Sequence, residues 1–124
     1  MTNKTLDYLG EMLMKKVRDK VIDNWDMILN GEGTTATPKK VHQELSGFSN
    51  EQIEIIKWLV PKIVDTTMHF FLSTIEQEKE VALMVKTDDG KVINIAEISD
   101  GLAGELYTEE GWIMRFSEQR YEEL

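Results

Sequence analysis

The chain has no cysteine, and its 124 residues include only two histidines and two prolines. The absence of cysteine excludes disulfide scaffolds, thiolate nucleophiles, iron–sulfur clusters and cysteine-ligated zinc. Long apolar runs are missing as well, so the sequence predicts no membrane-spanning helix and no membrane association. Charged residues interrupt every apolar run near the N-terminus, and no signal peptide is therefore expected. The sequence predicts one cytoplasmic domain, residues 1–124, that folds without metal or disulfide.

Basic residues are scarce in the second half of the chain. Residues 1–60 carry 8 basic and 9 acidic side chains, whereas residues 61–124 carry 6 basic and 14 acidic ones. The net charge of −9 therefore lies almost entirely in the second half. Such a surface repels a polyanion, so direct nucleic-acid binding is not expected. The imbalance favours either a surface that receives a basic partner or simple solubility.

Periodicity predicts two long amphipathic helices. Apolar residues spaced by three and four run from Leu6 to Ile28, with Asn3 as the cap and Asn30 at the end. A second stripe runs through Ile53, Ile56, Val60, Ile63 or Val64, Thr67, Phe71 and Ile75. Ser49 with Gln52 forms a capping box before it. Pro61 interrupts this stripe without changing its phase, which indicates one kinked helix.

Two β-rich runs follow, residues 81–86 and 92–98, and Asp89-Gly90 between them is typical of a tight turn. The expected fold class is α+β: two long amphipathic helices packed against a β-hairpin, with an irregular acidic C-terminal segment. In that segment Trp112, Met114 and Phe116 alternate like a strand, yet Trp112 and Phe116 also lie one helical turn apart. Periodicity does not decide between these alternatives. The charged residues 118–124 predict a frayed end.

The hairpin, the run Asp-Gly-Leu-Ala-Gly-Glu-Leu-Tyr ending at Tyr107 and the run Gly-Trp-Ile-Met-Arg-Phe-Ser starting at Gly111 resemble the C-terminal end of small bacterial proteins of unknown function. The resemblance covers about the last third of the chain. It implies a bacterial or phage origin, and it implies no activity, cofactor or catalytic residue.

Residues suited to catalysis are few. Asp65 and His69 lie four apart on the second predicted helix and could share a metal or a proton. The competing interpretation is a pair in which Asp65 orients a partly buried imidazole. No zinc motif, nucleophile elbow or phosphate-binding loop is present. We therefore predict no catalytic residue, no metal site and no cofactor, and keep a small enzyme or ligand-binding protein centred on Asp65 and His69 as an alternative.

The function that the sequence favours is a non-enzymatic protein-binding module, such as an inhibitor, an immunity-type protein or an adaptor. Its predicted binding residues combine acids with aromatic side chains in the C-terminal segment: Glu105, Tyr107, Glu109, Glu110 and Trp112. The alternative role for Trp112 is to cover the core. The expected partner is a basic protein. The long stripe of the first helix further predicts a homodimer through that helix, and a purely structural homodimer subunit is a third alternative.

Overall fold

The structure is a computed structural model that describes residues 3–123. Its helices and strands follow in this order: α1 (Lys4–Leu13), a π-helical turn (Met14–Arg18), α2 (Asp19–Leu29), α3 (Ala36–Glu44), α4 (Asn50–Gln77), β1 (Met84–Lys86), β2 (Val92–Asn94), α5 (Ile95–Ile98), a 3-10 helix (Ala103–Leu106) and α6 (Trp112–Phe116). The α+β prediction is confirmed. Among these residues no helix is long and apolar enough to cross a membrane.

The first predicted helix forms without a break from residue 4 to residue 29, but its middle turn is π-helical. The Asn3 side chain caps it by accepting from the N–H groups of Thr5 and Leu6. Because a π turn holds about one more residue than an α turn, it rotates everything that follows. Val17, within this turn, and Val21, after it, are exposed, although both belong to the apolar stripe.

Helix α4 begins with the predicted capping box of Ser49 and Gln52, and it continues across Pro61 for 28 residues. Its core side is formed by Val60, Val64, Met68 and Leu72. The later half of the predicted stripe is wrong, because Thr67 and Phe71 are exposed. From Val60 onward the core residues of this helix follow one another at a spacing of four. Met68 and Leu72 therefore take the core positions that the stripe predicts for Thr67 and Phe71.

The hairpin is shorter than the sequence predicts. Strands β1 and β2 pair antiparallel, with Val85 opposite Ile93, and Gly90 supplies the positive φ of 83° that the turn needs. The second β-rich run ends early because the Asn94 side chain accepts from the N–H of Ala96 and starts the short helix α5. Ile95 then points into the core and is fully buried.

Residues 112–116 are helical, which decides between the two periodicities. Trp112 is 1% exposed, and its ring lies directly on the backbone of α1. A Cβ atom at Gly10 would come within 2.4 Å of that ring, so only glycine permits the contact. Trp112 therefore belongs to the core, which is the alternative role that the sequence leaves open for it.

The π turn directs Arg18 into the interior, where its side chain is 0% exposed. The guanidinium donates from Nε to Asp65 Oδ1 over 2.6 Å and from Nη2 to Asp65 Oδ2 over 3.0 Å. It also donates to Ser117 Oγ over 2.8 Å and to the carbonyl of Arg120 over 2.9 Å. One side chain thus joins the first helix, α4 and the C-terminal segment.

The C-terminal segment, residues 117–123, lies along α2 and α4 without regular secondary structure. Asp19 accepts from the Ser117 hydroxyl and from the N–H of Glu118. Arg120 binds both carboxylate oxygens of Asp26 over 2.8 and 2.9 Å. The prediction of a frayed end is therefore wrong for these residues, while Leu124 lies outside the described residues.

Removing one partner of the buried ion pair should be costly. Arg18→Met leaves the Asp65 carboxylate buried without its cation, and we expect a loss of about 3–5 kcal/mol of unfolding free energy in a urea titration. The double variant Arg18→Met/Asp65→Leu should lose less, because no buried charge remains. Lys15→Met, which breaks the exposed Lys15–Glu11 pair of the same helix, should leave the unfolding free energy nearly unchanged. A single Arg18 variant as stable as wild type would contradict this account.

Tyr121 makes the stability sensitive to alkaline pH. Its hydroxyl is buried and has no hydrogen-bond partner within residues 3–123. Burial, assisted by the Glu123 carboxylate, raises the pKa of Tyr121 from 10.0 to about 12. The folded state therefore holds this proton more tightly than the unfolded state. Below pH 10 the Tyr121 hydroxyl is neutral in both states, and its full contribution to the unfolding free energy is present. As the pH rises towards 12, the hydroxyl ionises more readily in the unfolded state, and this contribution is lost.

The variant Tyr121→Phe removes both the unpaired hydroxyl and the ionisation. We expect it to be at least as stable as wild type at pH 7, and to lose less stability than wild type between pH 10 and pH 12. Thermal unfolding at a series of pH values measures both effects. Tyr8→Phe, at a tyrosine that is 63% exposed, is the control and should follow the wild-type curve.

Candidate functional site: an acidic groove beside Tyr107

A groove of about 710 Å³ opens between the N-terminal end of α1 and the loops around the 3-10 helix. Within residues 3–123 its lining includes one guanidinium, that of Arg115, and five carboxylates: Asp7, Asp100, Glu105, Glu109 and Glu110. Leu6, Ile98 and Tyr107 supply its apolar patches. The groove is thus a strongly acidic concavity assembled from three separate parts of the chain.

The turn between Tyr107 and Gly111 shapes one wall of this groove. Thr108 has a φ of 73°, a conformation that is rare and strained for a β-branched residue. Its N–H donates to Glu123 over 3.1 Å, and its carbonyl accepts from the N–H of Gly111 over 3.0 Å. The turn brings Gly111 so close to Tyr107 that a Cβ atom there would lie 2.0 Å from the Tyr107 carbonyl oxygen.

Tyr107 connects the groove to α4. Its hydroxyl lies 2.7 Å from Nδ1 of His69, and the two rings are tilted against each other with centroids 5.7 Å apart. Burial raises the pKa of Tyr107, and the nearby Asp65 carboxylate raises it further. The phenol therefore stays neutral at physiological pH, and the half-buried ring forms a fixed wall.

Asp65 and His69 do not form the pair that their spacing predicts. Both carboxylate oxygens of Asp65 accept from Arg18, and Nδ1 of His69 contacts Tyr107 instead. In the described part of the chain, no three side chains of the His, Asp and Glu types come together in a way that could hold a metal ion. The structure therefore places these two residues in the support of the groove wall and the core.

The single guanidinium of the groove is already paired. Arg115 Nη2 lies 2.9 Å from Asp7 Oδ1, and its Cζ lies 4.6 Å from the centre of the Phe116 ring. Glu105 accepts a hydrogen bond from the Ser99 hydroxyl over 3.1 Å, which fixes the position of its carboxylate. Glu109 and Glu110 are exposed at the rim. The groove therefore presents an excess of negative charge to whatever enters it.

Four of the five predicted binding residues line this groove together: Glu105, Tyr107, Glu109 and Glu110. Trp112 does not, because it is buried against Gly10. Asp100, which belongs to the same acidic run of the sequence, lines the groove with the other four, whereas the sequence gives no indication of Asp7 and Arg115 as groove residues. Asp7 lies about a hundred residues away in the chain, and no local pattern indicates that the start of α1 meets this loop.

Comparisons with protein-family models, with curated proteins and with solved structures give no match for this chain. The function must therefore be argued from the geometry and charge of the groove.

Two glycines of this region offer a matched test of the groove wall. Gly111→Ala would place a methyl group against the Tyr107 carbonyl, so we expect a loss of about 1–3 kcal/mol in unfolding free energy. Gly104, in the 3-10 helix, has no atom within 4 Å of its would-be Cβ, and Gly104→Ala should leave stability nearly unchanged. Chemical denaturation followed by circular dichroism compares them. Equal stability of the two variants would show that the turn is not constrained as described.

Proposed function

We propose that this protein is a non-enzymatic, cytoplasmic binding module whose acidic groove receives a basic segment of a partner protein. One observation carries the proposal: within residues 3–123, five carboxylates line one concavity together with one cation, and that cation is already paired with Asp7. A lysine- or arginine-rich segment is the chemical complement of such a groove. An inhibitor, an immunity-type protein or an adaptor would act in this way.

The shape of the groove supports a peptide segment over a small ion as the ligand. A volume of about 710 Å³ is large for one ion, and it extends over both polar and apolar lining residues. The rim carboxylates of Glu109 and Glu110 would steer the basic segment during approach. The fixed ring of Tyr107 would then contact the aliphatic part of a lysine or arginine side chain. Charge would thus govern the association rate, and the tyrosine contact would govern dissociation.

A fluorescent peptide of alternating lysine, arginine and glycine, measured by anisotropy at several salt concentrations, tests this proposal. The variant Glu105→Gln/Glu109→Gln/Glu110→Gln keeps the shape of the groove while removing three charges. We expect its affinity for the peptide to fall at least about tenfold at low salt, with a smaller difference at high salt. Its stability should change little, because Glu109 and Glu110 are exposed and the amide oxygen of a glutamine at position 105 can still accept from the Ser99 hydroxyl.

A second triple variant controls for net charge. Glu32→Gln/Glu80→Gln/Asp88→Asn removes the same number of charges from exposed positions that do not line the groove. If the groove is the site, this control should bind the peptide almost as wild type does. Equal losses in the two triple variants would mean that the peptide senses only net charge, and the proposal would then be wrong. An unmodified protein that does not distinguish the basic peptide from an acidic one would also overturn it.

A further inference from the structure

Helix α4 carries apolar side chains on its solvent side as well as on its core side. The solvent-side residues recur at spacings of three and four, and we call them the α4 outer face: Ile55, Leu59, Ile63, Thr66, Thr67 and Phe70. Ile63 is 61% exposed and Phe70 is 63% exposed. A helix that is apolar on both sides is normally covered on both sides. In the described residues, only the side with Val60, Val64 and Met68 is covered.

The charged residues in this part of α4 are paired with other residues of the protein. Between Leu59 and Thr74 the sequence contains two charged residues, Lys62 and Asp65. Lys62 Nζ lies 4.8 Å from the centre of the Trp58 ring and 3.3 Å from the Glu122 carboxylate. Asp65 is buried with Arg18. Four turns of helix therefore present a surface without a free charge.

The hydroxyl groups of the two threonines on the outer face are hydrogen-bonded within the helix, so they can be buried without losing a water partner. The hydroxyl of Thr67 donates to the carbonyl of Ile63 over 2.7 Å, and that of Thr66 donates to the carbonyl of Lys62. Their donors are therefore satisfied within the helix itself. Covering the face with another apolar surface would leave no threonine donor unpaired, which removes the usual penalty for burying a hydroxyl.

The pattern of the face is self-complementary when the helix is reversed. If two α4 helices run antiparallel with Leu59 of one opposite Phe70 of the other, Ile63 of each falls opposite Thr66 of its partner helix. Bulky side chains then meet at the ends, and a large residue meets a smaller one near the middle. Such a relation between a surface and itself is what a two-fold symmetric interface requires.

The size of the face also suits a second copy. Together with Trp58 and Phe71 at its flanks, the outer face has six large apolar side chains that are 39–63% exposed. A standard specific interface buries about 800 Å² per partner, which needs a contiguous patch of this kind. The Glu122 carboxylate at the edge of this face is already bound to Trp58 and Lys62, so it is not free to pair with a basic protein. The first helix is a poorer candidate for a dimer contact, because its exposed Val17 and Val21 are flanked by Lys16 and Lys20.

We propose that the α4 outer face is the contact between two copies of this chain, with the two α4 helices antiparallel about a two-fold axis near Val64 and Asp65. This interface is independent of the acidic groove. The predicted homodimer is thereby assigned to α4 and not to the first helix.

Single cysteines test the geometry, because the natural chain has none. Thr66→Cys places one thiol beside the proposed axis, so that the two thiols of a dimer are neighbours. A short bismaleimide reagent should then give a covalent dimer at low protein concentration. Val21→Cys, on the first helix, is the matched control and should stay monomeric under the same conditions. Cross-linking of Val21→Cys without cross-linking of Thr66→Cys would overturn the proposal.

Sedimentation equilibrium provides a second, independent measurement. The wild-type protein should pass from its 14.3 kDa monomer to twice that mass as concentration rises. Ile63→Glu should raise the dimer dissociation constant at least about tenfold, because it would place an unpaired charge in the contact. Val21→Glu adds the same charge on the first helix and should leave the constant unchanged. Circular dichroism checks that both variants remain folded.

A wild-type chain that stays monomeric up to millimolar concentration would overturn the proposal, as would equal effects of the two glutamate variants. Binding of the basic peptide by Ile63→Glu separates this proposal from the acidic groove. Since the groove lies on other elements, peptide binding should be retained when the dimer is lost. A failure of the groove proposal would therefore leave the dimer result intact.

Discussion

The buried ion pair between Arg18 and Asp65 joins the first helix to α4 in the interior of the protein. Four N–H groups of the Arg18 guanidinium are used, two on Asp65 and one each on Ser117 and the Arg120 carbonyl. A lysine could not replace it, because an ammonium group lacks the planar fork that reaches two carboxylate oxygens and two further acceptors at once. The π turn of the first helix is the local cost of directing this side chain inward. Arg18 therefore links three elements at one buried point, in addition to the apolar core that they share.

The C-terminal segment completes this arrangement and also repairs a defect in α4. Pro61 has no N–H, so the carbonyl of Lys57 loses its helical donor. Arg120 supplies a substitute, donating from Nη2 to that carbonyl over 2.8 Å while it holds Asp26. A segment without regular structure thus satisfies a backbone acceptor that a proline has freed. This contact explains how a 28-residue helix continues across a buried proline.

Local signals in the sequence predicted the helix starts well, because caps depend on residues within one turn of each other. Asn3, Ser49 and Gln52 act as their positions indicate. The burial pattern was predicted less well, since a π turn changes the phase of a helix without leaving a composition signal. The contact of Trp112 with Gly10 and the pairing of Arg18 with Asp65 join residues far apart in the chain. No periodicity or motif announces such partners.

The same distinction applies to the groove. Glu105, Glu109 and Glu110 are visible as an acidic cluster in the sequence. Asp7, in contrast, reaches the groove because Trp112 packs on Gly10 and brings α6 against α1. The core contact and the acidic surface therefore have a common cause. A variant that disturbs the packing of α6 on α1 would alter the groove even though it changes no charge.

Helix α4 supports the groove from one side and carries the proposed dimer contact on the opposite side. On its inner side Asp65 holds Arg18 and His69 holds Tyr107, so this helix anchors both the core pair and the groove wall. On its outer side the apolar residues carry no free charge. Asp65 is buried in its ion pair with Arg18, and Lys62 is paired with Glu122. The charged residues of this part of the helix are therefore already paired within the protein. The ion pair that fixes the fold thus also leaves the outer face of α4 uncharged.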